Sequence, residues 1–104
     1  MKRFKYQTLV TLAPARDGGP PAELPGPTCR MVVRARHRET RATKMFSALV
    51  STGDQSPVTG NQTLTLTVIV LGDDAGDYLA PGERFVLWRG SDLGSGVVTR
   101  RIFV

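Results

Sequence analysis

Apolar and polar residues alternate along most of this chain with the period of two that marks half-buried β-strands. In residues 4–12, Phe4, Tyr6, Thr8, Val10 and Leu12 fall on one side and Lys5, Gln7 and Thr11 on the other. Residues 29–36 place Cys29, Met31, Val33 and Ala35 inward and Arg30, Val32, Arg34 and Arg36 outward. Residues 63–71 give the cleanest strand, Leu64, Leu66, Val68 and Val70 alternating with threonines in a β-branched segment. Residues 42–50 suit a helical face as well, through Met45, Phe46, Leu49 and Val50, and are read as a strand. Residues 83–89 and 95–104 supply two more.

Punctuation separates these runs. Residues 14–27 hold five prolines and three glycines, so an irregular loop is expected, without helix or ladder. Residues 51–62 carry turn chemistry, 72–82 form an acidic turn and 90–94 a tight connection. About six short strands without a helix predict a closed barrel or a sandwich. With 104 residues there is length for one core, so residues 1–104 are expected to form a single domain. Its inward set is Met31, Val33, Leu64, Leu66, Val68, Val70, Phe85 and Leu87.

Charge sharpens the picture. The net charge is +5 and the isoelectric point about 10.1, which favours anionic partners. Arg30, Arg34, Arg36, Arg38, Arg41 and Lys44 crowd one stretch opposed only by Glu39, while Asp73, Asp74, Asp77 and Glu83 lie elsewhere. Guanidinium groups two residues apart along a strand sit about 7 Å apart, near the spacing of phosphates on a nucleic-acid strand. The same row also serves as a charged outer face that keeps a barrel soluble. Tyr6 and Trp88 offer stacking surfaces if exposed, but no ribonucleoprotein-type aromatic motif is present.

Catalytic chemistry has little to work with. His37 is the only histidine and Cys29 the only cysteine, too few for a triad, a zinc site or a disulfide, so Cys29 reads as a buried hydrophobe and His37 as a solvated strand end. Asp73, Asp74 and Asp77 lack the twelfth-position glutamate of a calcium loop and read as a turn. No enzyme activity, metal or cofactor is expected. The N-terminal residues enter an alternating pattern without an apolar stretch, so no membrane span is expected and the location is taken as cytoplasmic.

Two segments resemble the third, C-terminal domain of elongation factor Tu. Leu24-Pro25-Gly26 is similar to that family's Pro-Gly element, and residues 84–98, ending Gly94-Ser95-Gly96-Val97-Val98, look like its closing hairpin. The resemblance implies a six-stranded antiparallel Greek-key barrel standing alone. It implies a barrel that contacts structured, tRNA-like RNA or docks on a GTPase or other protein, and both partners remain open. No Gly-x-x-x-x-Gly-Lys-Ser/Thr loop is present, so this chain alone is expected to bind no nucleotide. The family's Tyr-Arg-Pro-Gln becomes Pro27, Thr28, Cys29 and Arg30, and its Arg-Glu becomes Trp88 and Arg89. The RNA-contact set is therefore Arg30, Arg34, Arg36, Arg38, Arg41, Lys44, Trp88 and Arg89.

Overall fold

In a computed structural model, which describes residues 2–12, 23–24, 28–52, 58–59, 63–90 and 92–102, the alternating segments close into one antiparallel barrel. Its strands are β1 (Arg3–Leu12), β3 (Thr28–Arg36), β4 (Thr43–Ser51), β6 (Thr63–Leu71), β7 (Arg84–Trp88) and β8 (Asp92–Ile102). A separate two-residue ladder joins β2 (Glu23–Leu24) to β5 (Val58–Thr59). Residues 23–24 thus make a ladder inside the proline-rich segment where none is expected. Neither Glu23 nor Leu24 is a proline, so the pair keeps its own amides although Pro25 and Pro27 follow it.

Round the barrel the order is β1-β6-β4-β3-β7-β8, with β8 returning to β1. The strands β3, β4 and β6 form a meander. β1 lies beside β6, and β7 lies beside β3, so two Greek keys overlap on the same three strands. Closure removes the sheet edges that an open six-stranded sheet would present. It also gathers one end of the barrel from distant sequence, since β3, β6 and β8 finish where β1, β4 and β7 begin.

The alternation holds where it is most regular. β1 is buried at Phe4, Tyr6, Thr8, Val10 and Leu12, and β3 at Cys29, Met31, Val33 and Ala35. The ambiguous segment around Phe46 is β4, pairing with β3 from Thr43 to Ser51. Of the expected core, Leu66, Val68, Val70, Met31, Val33, Phe85 and Leu87 are buried and Leu64 packs partly buried against them. Tyr6 is 1% exposed and stacks on Phe4, so it presents no face for base stacking. Its hydroxyl has no hydrogen-bond partner among the described residues, and burial pushes its pKa up, opposed by the nearby Arg101.

The β8 strand begins at Asp92, earlier than the glycine run suggests, and pairs with β7 from Trp88–Asp92 to Arg84–Val97. Gly94 and Gly96 sit where β8 crosses closest to β1. A Cβ on Gly94 would lie 2.5 Å from the Thr11 carbonyl oxygen, and one on Gly96 would lie 2.6 Å from the Phe85 ring. The β1–β8 ladder shifts register between Gln7 and Thr8, a bulge that leaves Thr99 unpaired. Among the described residues, no helix is long and apolar enough to cross a membrane.

Candidate functional site

The β3 strand turns into β4 through a tight hairpin built around His37. The His37 amide donates to the Ala42 carbonyl at 2.8 Å, and the Arg41 amide donates to the His37 carbonyl at 3.0 Å. Nδ1 of the same residue accepts the amides of Glu39 and Thr40 at 3.1 and 3.2 Å. Arg41 takes the left-handed conformation, with φ at 66°, as a tight turn demands. His37 is therefore more than a solvated strand end. It is half-buried, its ring meets Tyr78 edge-on at 5.1 Å, and it organises the turn that carries Arg38 and Arg41.

Beside this hairpin an open groove of about 580 Å³ runs between β3 and β7. Arg34 and Arg36 enter it from β3, Arg41 from the hairpin, and Arg84 from the first position of β7. Glu83 is the single carboxylate lining it among the described residues. The register explains the convergence: Arg34 pairs with Val86 and Ala35 with Phe85, so the next step brings Arg36 toward Arg84. Like charges on facing positions of neighbouring strands repel. An anion bound between them removes that penalty.

Arg34 and Lys44 are already engaged by carboxylates. Arg34 Nη2 lies 3.4 Å from Asp92 Oδ2, both side chains well exposed, a contact of the kind that contributes about 0–1 kcal/mol and that a phosphate can displace. Lys44 Nζ lies 2.7 Å from Asp74 Oδ2 and 5.3 Å from the Phe46 ring centroid. The hydrogen bond between them lowers the Asp74 pKa and raises that of Lys44. Asp73, Asp74 and Asp77 thus fold back on the basic stretch from thirty residues away, and Lys44 belongs to their side of the barrel.

No protein-family model and no curated protein matches this chain. What the groove accepts follows from its own geometry.

Of the residues singled out from sequence, Arg34, Arg36 and Arg41 meet in the groove. Arg30 is exposed near the start of β3, opposite Leu49 and away from the others. Arg38 is exposed on the hairpin, where its amide donates to the Asp77 carbonyl at 3.3 Å. Trp88 is half-buried at the far end of β7, paired with Val32 and Asp92, and Arg89 is exposed in the turn beyond it. Arg84 is the groove residue that the sequence reading omits. It stands forty residues from the arginine row, and only the β3–β7 pairing brings it close.

Proposed function

We propose that this chain is a non-catalytic interaction barrel whose arginine groove binds the phosphate backbone of structured RNA. The observation that carries the reading is the convergence of Arg34, Arg36, Arg41 and Arg84 on one open groove with Glu83 as the sole carboxylate lining it among the described residues. Guanidinium forks match phosphate oxygens in geometry and charge. Among the described residues no aromatic ring is exposed, which disfavours single-strand binding by base stacking and favours recognition through the backbone.

The resemblance to the third domain of elongation factor Tu points in the same direction and suggests a tRNA-like partner. The matched Pro-Gly segment carries Cys29, which is buried, and Arg30, which is exposed, so the contact chemistry there differs from the family's. The alternative is docking on a GTPase or another protein. Among the described residues the exposed large apolar side chains are Leu9 and Met45, on β1 and β4 with β6 between them, and these two do not join into the continuous patch that such docking uses.

The test is the salt dependence of binding to an RNA stem-loop. Phosphate contacts from three or four arginines predict a slope of log affinity against log salt of about −2.7 to −3.6, since each neutralised phosphate contributes about −0.9. A flat dependence would indicate an apolar interface and overturn the proposal.

A further inference from the structure

A second group of cations borders the groove across the barrel seam. After the bulge at Gln7/Thr8, Arg100 pairs with Gln7 and Ile102 with Lys5. That shift brings Arg100 to the outer surface, where its Nε donates to Gln7 Oε1 at 2.7 Å. Arg101, also exposed, pairs with Tyr6 and holds its guanidinium over the Phe4 ring, 4.5 Å from the centroid. Arg100 is exposed and Lys5 half-buried, and the two are diagonal neighbours on the outer face.

The strand order joins this pair to the groove. β8 lies between β7 and β1, and Arg84 pairs with Val97, three residues before Arg100. From β3 to β1 is three strand spacings, about 14 Å. Over that width Arg36, Arg84, Arg100 and Lys5 succeed one another on neighbouring strands. Glu83 lines the groove beside Arg84, Asp74 is paired with Lys44, and Asp73 accepts the Lys2 amide at 2.8 Å, at the start of β1 three residues before Lys5.

We infer that the anion-binding surface continues from the groove across β8 onto β1, and that its ligand is a run of several backbone phosphates. A surface this wide exceeds the reach of one phosphate group. Gln7 fixes Arg100 through a neutral hydrogen bond, which orients the guanidinium while leaving its charge uncompensated. The inference rests on the RNA reading of the groove and extends it to a second set of residues.

The experiment compares two double variants on the same probe, a 20-base-pair RNA hairpin, by fluorescence anisotropy over a salt series. Lys5→Gln with Arg100→Gln is expected to weaken binding about tenfold at 0.1 M salt and to reduce the salt slope by about two. Arg36→Gln with Arg84→Gln reports on the groove itself. Thermal unfolding checks that each variant is folded, and Arg100→Lys, which retains the charge, is expected to keep the parent slope. If the Lys5/Arg100 variant binds like the parent while the Arg36/Arg84 variant is weakened, the surface ends at the groove and the extension is wrong. If neither variant is weakened, the RNA reading of the groove falls as well.

Discussion

Replacing Gly94 with alanine is expected to destabilise the barrel by about 3 kcal/mol or more, the upper range for forcing atoms into a packed site. The Cβ would lie 2.5 Å from the Thr11 carbonyl oxygen and 2.9 Å from the Leu12 Cα, both backbone atoms of the strand that closes the barrel. A flexible side chain yields to such an intrusion, whereas a paired backbone does not. Relief requires β1 and β8 to part at Leu12–Gly94 and Thr11–Ser95, which breaks the seam. Gly90 supplies the control. Its φ of 76° makes alanine strained, but nothing lies within 4 Å, so the cost there is the left-handed backbone alone, about 1–2 kcal/mol. Urea unfolding of both variants measures the contrast. Equal midpoints for Gly94→Ala and the parent would mean that β8 does not close on β1.

Replacing Arg34 and Arg36 together with alanine is expected to weaken RNA binding on the order of 10- to 100-fold at 0.1 M salt, by loss of two charge-assisted phosphate contacts. The salt slope should fall by about two, alike for all RNA sequences, because phosphates carry no base identity. Both side chains lie on the outer face of β3 among buried neighbours Val33 and Ala35, so the core keeps its packing. The two arginines contribute unequally. Arg34 exchanges Asp92 for phosphate, while Arg36 has no carboxylate partner among the described residues, so the single Arg36 variant accounts for more of the loss. Unchanged binding by the double variant would reduce the arginine row to a solvated face.

The strands themselves were legible because their alternation is uninterrupted: residues 63–71 and 29–36 read as strands and are strands. Closure was not legible in the alternation itself, which fits a barrel or a sandwich alike; the six-stranded barrel was what the resemblance implied. Local spacing failed where register decides facing. The last strand was read without a facing, and the bulge at Gln7/Thr8 sets it there, pairing Arg100 with Gln7 and Arg101 with Tyr6. Density along the chain also misled. Lys44 sits in the basic stretch but pairs with Asp74, and Arg84 sits outside it but joins the groove. Tyr6 illustrates the limit of aromatic content as a clue, since it was read as a stacking surface if exposed and lies instead in the buried set of β1.

The central claim is that RNA phosphates lie against the groove between β3 and β7, and arginine side-chain NMR measures this directly. On titration with an RNA stem-loop, the Nε–Hε signals of Arg34, Arg36, Arg41 and Arg84 are expected to shift and to slow in exchange with water. The Arg38 signal and the Lys44 ammonium, held by Asp74, are expected to stay in place. Shifts confined to Arg30, Arg89 and the Trp88 indole, at the opposite end of the barrel, would contradict the account.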